Sequence, residues 1–333
     1  EARAGGIGTG EAVLFAPPRA RWHHGGLMSR PAPVVYSPEY ECDIGRHVFQ
    51  TGKFRLVRDG LLAAGLVTES GIIAAEPAPR ADLLLVHTAE YLDDLEQLRW
   101  TPRTRMSELP LTAGIVRAYV LAAGGTTRAA REALTHGVGV HLGGGFHHAY
   151  AELASGFCYI NDLAVAIRVL QRDGLVRRAA VVDCDLHQGN GTAHLFRGED
   201  AVFTFSIHQE HLYPVKERSD LDIGLENGVG DEEFNQRLGA GLARVWEHRP
   251  ELILYQAGAD PYEDDQLGGL RLTFAGLLER DRLVLEGCAE RGIPAVVTLG
   301  GGYARRVSET VRIHQNTCEL ALQLAARAAG RAR

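Results

Sequence analysis

Seven short apolar runs constrain the fold more than any other feature of the chain. They are PVVYS (33–37), DLLLVH (82–87), GVGVHL (137–142), RAAVVDC (178–184), AVFTFSI (201–207), ELILYQA (251–257) and IPAVVTL (293–299). Most of them do not alternate with polar residues, which is the pattern of strands buried on both faces. Between them lie longer stretches with helical periodicity, over roughly 46–65, 113–135, 159–173, 231–248, 270–291 and 305–329. Strands alternating with helices predict a mostly parallel central sheet covered on both sides, a three-layer α/β/α arrangement. No repeat or linker divides the chain after residue 33, so residues 33–333 are expected to form one catalytic domain. Residues 1–32, rich in Gly, Pro and Arg, show no periodicity and read as an N-terminal extension or arm. GIGTGE (6–11) in that arm follows no strand, so it does not read as a dinucleotide loop.

The formal net charge of −7 argues against a direct nucleic-acid partner, which would call for a basic excess. The arginines of 99–105 read as a solvated loop. Five cysteines, odd in number and without CxxC spacing, predict reduced thiols in a cytoplasmic protein, with neither a disulfide framework nor a thiolate zinc site. No apolar run approaches the ~18 residues that span a bilayer, so no membrane association is expected.

Parallel sheets present ligands at the carboxyl ends of their strands, and here those ends carry the reactive residues. The run at 137–142 leads into GGGFHHA with His147 and His148. The run at 178–184 leads into DCDLHQGNG with Asp183, Asp185, His187 and Asn190. The run at 251–257 leads to Asp260, and that at 293–299 to GGGY with Tyr303. Carboxylates at the end of a buried strand are costly unless paired or bound to a cation. Asp185 or Asp260 alone would serve equally as a helix cap or turn residue. Together with His187 they make a three-ligand metal site with an open position, suited to Zn²⁺ and also to Fe²⁺ or Mn²⁺. His147 and His148 come after three glycines and suit general acid–base work, with Asp183 and Asn190 as partners that orient them. Tyr303 is placed to donate to a developing oxyanion.

LGGGFHHAYAELASGFCYINDLAVAI, VVDCDLHQGNGTA, QAGADPYEDDQLGG and LGGGYA resemble the zinc-dependent histone deacetylase family, whose fold is shared with arginases. The resemblance spans roughly residues 33–325 and is closest to class IV and its bacterial relatives. It implies Zn²⁺ (or Fe²⁺) on Asp185, His187 and Asp260, catalysis by His147, His148 and Tyr303, and orientation of the histidines by Asp183 and Asn190. It also implies a structural K⁺ at Asp183, Asp185, His187, Ser206 and Ile207, and a second near Phe196 and Val202. An acyl-lysine tunnel is implied at Gly156, Phe157, Tyr213 and Leu267. Asn190 stands where class I members have aspartate, and the loop after Tyr91 lacks their substrate-gripping aspartate.

The implied activity is hydrolysis of an acyl-amide by a metal-activated water, most simply deacetylation of lysine Nε. The alternatives are acetylpolyamines or other small acylated amines, long-chain acyl-lysine, and a non-catalytic binding protein on the same fold. A polyamine enzyme would want an acidic gate at the tunnel mouth, for which Glu263, Asp264 and Asp265 are the candidates.

Overall fold

The computed structural model describes residues 34–331, so the arm at 1–32 and its GIGTGE stretch lie outside the described residues. In chain order the elements are β1 (Val34–Tyr36), α1 (Lys53–Ala63), β2 (Ile72–Ala74), α2 (Arg80–Leu83), α3 (Ala89–Glu96), α4 (Ala113–His136), β3 (Val138–His141), α5 (Asp162–Arg172), β4 (Ala179–Asp183), α6 (Asn190–Leu195), β5 (Val202–Gln209), β6 (Leu221–Leu225), α7 (Asp231–Glu247), β7 (Leu252–Gln256), α8 (Phe274–Arg291), β8 (Ala295–Thr298) and α9 (Val307–Arg331). The eight strands form one sheet in the order β2-β1-β3-β8-β7-β4-β5-β6, every pair parallel.

The apolar runs go where their lack of alternation requires. Every residue of β3, β4, β7 and β8 is buried. Helices cover the sheet in two groups, α4 with α5 and the series α1, α9, α8, α7. Burying each Val or Leu of the central strands contributes roughly 1.5–3 kcal/mol, so those strands are the part least able to shift. The helix ends obey local chemistry. Thr112, Asn161 and Thr273 cap α4, α5 and α8 by accepting from backbone N–H groups, and α4 and α8 stop at left-handed glycines, Gly137 and Gly292.

Three local expectations are corrected. DLLLVH is not a strand: Arg80–Leu83 is a helical turn following Pro79, and Leu84 and Leu85 are 44% and 36% exposed. An apolar run lying on the surface satisfies its backbone within its own turn and needs no neighbouring strand. Conversely, β2 and β6 are strands that the apolar runs do not predict. Both are sheet edges with half-buried side chains, so neither shows a buried-strand pattern. Within the loop 99–105, Arg99 pairs with Asp94 at 2.7 Å and Arg103 with Glu90 at 3.4 Å, as a solvated loop would. All five cysteines are free, and no helix among the described residues is long and apolar enough to cross a membrane.

Candidate functional site

The four strands that carry the reactive sequences, β3, β8, β7 and β4, are consecutive neighbours in the sheet. Because all run in one direction, their carboxyl ends open onto one rim. Residues from positions 147 to 303 therefore meet there without any further device.

Asp185, His187 and Asp260 come together with their ligand atoms within 4.8 Å of one another, all three buried. His187 Nδ1 lies 3.3 Å from Asp185 Oδ1 and 3.2 Å from Asp260 Oδ2. The other carboxylate oxygens are oriented by backbone and amide donors. Leu186 N donates to Asp260 Oδ1 (3.0 Å), Gly301 N to Asp185 Oδ2 (2.9 Å) and Gln256 Nε2 to Asp185 Oδ2 (3.0 Å). Asp185 caps no helix; Gly189 precedes α6.

The donor set fits a divalent ion. It is oxygen-rich with one imidazole, as zinc and iron accept. Burial by itself would depress the His187 imidazole, yet Asp185 and Asp260 lift it to about 10. The site draws positive charge even when a proton must supply it. Space is kept by glycine: a Cβ on Gly258 would meet Asp185 Oδ2 at 2.2 Å, and one on Gly301 would meet Asp260 Oδ2 at 2.2 Å.

Beside this cluster stand the paired histidines. His147 Nδ1 bonds Asp183 Oδ2 at 2.6 Å, and His148 Nδ1 bonds Asn190 Oδ1 at 2.7 Å. Their Nε2 atoms are 3.1 Å apart. Asn190 Nδ2 in turn donates to the Tyr150 hydroxyl at 2.9 Å. The two environments push the rings apart. Burial opposes charge on His147, but Asp183 and Asp185 prevail and raise it to about 9. Burial and the neighbouring His147 and His187 hold His148 well below the usual histidine range.

The recess over these groups, with ≈ 310 Å³ of empty space, is walled by Phe49, Phe146, Gly156, Phe157 and Tyr303 among others. The Tyr303 ring meets Phe157 at 5.9 Å and Phe49 at 6.3 Å. Burial holds its hydroxyl well above the usual phenol range, so it remains a donor. Tyr213 sets its ring 5.4 Å from that of His148 and bonds Ser155 through its hydroxyl. Leu267 is not among the residues that line the recess; its N–H donates to Asp265 Oδ1 at 2.9 Å. Ser206 stands opposite Asp183 in the β4–β5 register, next to Ile207, and its hydroxyl bonds His208. Phe196 and Val202 are buried nearby in sequence.

Several residues at the site carried no sequence signal or take a place other than the one expected. Lys53 is fully buried, and its Nζ donates to the Gly300 carbonyl at 2.7 Å. Asp265, one candidate for an acidic gate, is instead buried and accepts from Tyr303 N at 2.7 Å. Asp264 is paired with Arg305 at 3.2 Å. An unpaired acidic gate from this stretch is therefore reduced to the exposed Glu263. Arg280, fully buried, bonds the carbonyls of Gly258 and Cys184, one flanking each ligand-bearing strand end. The signal that could have exposed Lys53 and Arg280 is a charged side chain within an otherwise apolar helix face.

Residues 47–318 match the family model described as the histone deacetylase domain. An uncharacterized protein of Picosynechococcus sp. is 42% identical over 286 residues, covering 85% of this chain and 95% of that one. Histone deacetylase 2 of Arabidopsis thaliana is 29% identical over 294 residues, covering 84% and 76%. A crystal structure of an HDAC homologue complexed with SAHA is similar with a TM-score of 0.77 and 27% identity, over 88% of this chain and 84% of that chain. The chain belongs to the histone deacetylase family, deacetylase-type hydrolases built on this arginase/deacetylase parallel-sheet fold.

Proposed function

We propose that the protein hydrolyses an acyl-amide, most simply the acetyl group on a lysine Nε, with one divalent ion on Asp185, His187 and Asp260. The observation that carries this reading is the buried three-ligand cluster beside two partnered histidines, both opening onto one recess with Phe49, Phe146 and Phe157 in its walls. A bound zinc or iron(II) ion supplies Lewis acidity, which polarises a carbonyl and acidifies water.

The chain's own residues do the rest. Gly156 and Phe157 give the recess narrow walls that suit an extended acyl-lysine, with Tyr213 at its entrance. The Tyr303 hydroxyl donates to the carbonyl oxygen as negative charge grows on it. His147 and His148, their Nε2 atoms 3.1 Å apart, take a proton from water and return one to the leaving amine. Water's oxygen bonds to the carbonyl carbon, the C–N bond breaks, and a carboxylate and a free amine leave. A potassium ion at Asp183, Asp185, His187, Ser206 and Ile207 belongs to the same proposal, supported by the register that sets Asp183 beside Ser206.

One observation favours a longer acyl group. A second apolar pocket shares Phe49 and Phe146 with the catalytic recess and is further lined by Ile44, Phe54, Leu109 and Ile115. The separating experiment is a turnover panel on zinc-loaded protein: acetyl-, octanoyl- and palmitoyl-lysine peptides against acetylated polyamines. Metal content is measured alongside. Turnover of the peptides that is lost on chelation and restored by metal supports the reading. A fully metallated protein inactive on every acylated amine overturns it.

A further inference from the structure

The turn Gly144–Gly145–Phe146, which aims His147 and His148, is gripped by the start of α5. Asp162 accepts from Phe146 N at 2.7 Å and from Gly145 N at 3.0 Å. Asn161 Nδ2 reaches the carbonyls of Ala149 at 3.2 Å and His147 at 3.4 Å. Behind Asp162 runs a chain of buried side chains. The Thr126 hydroxyl donates to Asp162 Oδ2. His141 Nδ1 lies 2.9 Å from Thr126 Oγ1, and its Nε2 lies 2.7 Å from the Tyr40 hydroxyl. Thr126, His141, Asn161 and Asp162 have no exposed surface, and Tyr40 has 4%.

The direction of the chain comes from counting protons. Thr126 has one hydroxyl hydrogen, and the carboxylate takes it, so Thr126 accepts from His141. The His141 proton is therefore on Nδ1 and Nε2 is an acceptor, to which Tyr40 donates at 2.7 Å in preference to its longer contact with the Leu121 carbonyl at 3.4 Å. Burial keeps this imidazole neutral by lowering it to about 3. The shortest contacts in the chain run towards Asp162, whose oxygens hold the turn. The packing is direct: a Cβ on Gly144 would meet Asp162 Oδ2 at 2.5 Å and both His141 Nδ1 and Thr126 Oγ1 at 2.7 Å.

We propose that Tyr40, His141, Thr126 and Asp162 form a positioning relay for the His147–His148 pair. None of the four is assigned contact with the reacting atoms; they fix the turn from which both imidazoles project. The proposal rests on the hydrolytic reading of the site. Small errors in placing acid–base groups are costly, on the order of 10²-fold for about 1 Å. A buried polar chain also has no net stability advantage over an apolar filling. Its value lies in specifying one geometry.

Thr126→Val keeps the shape of threonine and removes both hydrogen bonds, whereas Thr126→Ser keeps them. The expected result for Thr126→Val is a kcat about 10- to 100-fold lower, with KM within roughly twofold and metal content at the wild-type level. Thr126→Ser should stay within about threefold of wild type. Nitrogen-15 histidine spectra of the wild type should show His141, assigned by its loss in His141→Asn, neutral and protonated on Nδ1. Wild-type kcat in Thr126→Val, an equal loss in Thr126→Ser, or a His141 proton on Nε2 each overturns the relay. Should Thr126→Val not fold, the serine variant and the tautomer decide. A wild-type protein without amide turnover refutes the hydrolytic reading, and the tautomer still tests the relay.

Discussion

Lys53 Nζ donates to the Gly300 carbonyl at 2.7 Å while lying 5.5 Å from the centre of the Tyr303 ring. Phe49 and Phe54 present their rings at 5.4 and 5.3 Å, and Lys53 makes no ion pair among the described residues. Burial outweighs the attraction of Asp260, Asp185 and Asp265 and lowers the ammonium to about 8. The adjacent Gly301 N–H orients Asp185, so the lysine fixes the backbone between a ligand and the tyrosine. Lys53→Met fills similar volume without the donor. Without that donor the Gly300–Tyr303 segment is free to shift, and a displacement of about 1 Å at a catalytic group costs on the order of 10²-fold, so turnover should fall roughly ten- to hundredfold. The melting temperature should change little, because the variant also removes a buried charge. Steady-state kinetics and a thermal melt check both halves.

Tyr303→Phe should bind metal normally and lose most turnover. Its backbone is held by Asp265 and its ring by Phe49 and Phe157, so phenylalanine keeps the packing. Loss of one oxyanion donor costs roughly 3 kcal/mol, a hundred- to thousandfold in rate. A core-packing tyrosine would give the reverse pattern, full rate with altered stability. Turnover, metal content and melting temperature on the one variant distinguish them.

Asn190→Asp should retain far more activity than Asn190→Leu. Aspartate also accepts from His148 Nδ1, and the Tyr150 hydroxyl, now bonded to Asn190 Nδ2, can reverse and donate to it. Leucine leaves a buried ring nitrogen without its acceptor, a loss of about 1–3 kcal/mol. Full turnover in the leucine variant would deny Asn190 any orienting role.

Stability should fall on acidification partly through His87. Buried and accepting from Asn161 N at its Nε2, His87 is lowered by burial from 6.5 to about 4. Between those values the unfolded chain binds the proton and the folded chain does not, so stability is complete above pH 6.5 and declines as pH falls towards 4. The full span is roughly 3 kcal/mol at ~1.4 kcal/mol per pKa unit. His141 and His208, each held near 3, act with the same sign. Denaturant titrations at pH 7, 5.5 and 4.5 should show a shallower acid slope in His87→Gln than in wild type.

Much of the site was legible because of one rule of parallel sheets. Strands that share a direction bring their carboxyl ends to one edge. The residues directly after each apolar run were therefore enough to name Asp185, His187, Asp260, the histidine pair and Tyr303 as candidates, and the fold brings them to one rim. Residue chemistry named Asp183 and Asn190 as partners for the histidines, since a buried imidazole needs a partner for its second nitrogen; which of them serves which ring came with the family resemblance.

The linear order of the chain thus determined the strand cores, the long helices and the choice of candidate site residues, all of which depend on local periodicity and side-chain type. Which strands are neighbours was decided only by the tertiary structure, as was the surface fate of DLLLVH and the edge pairing of β2 and β6. Lys53 reaches Gly300 across 247 residues, and Tyr40 reaches His141 across 101. No local pattern encodes such contacts. A lysine or a threonine in a helix looks like any solvated residue until folding removes the water and leaves fixed partners in its place, the Gly300 carbonyl for Lys53 and the Asp162 carboxylate with the His141 ring for Thr126.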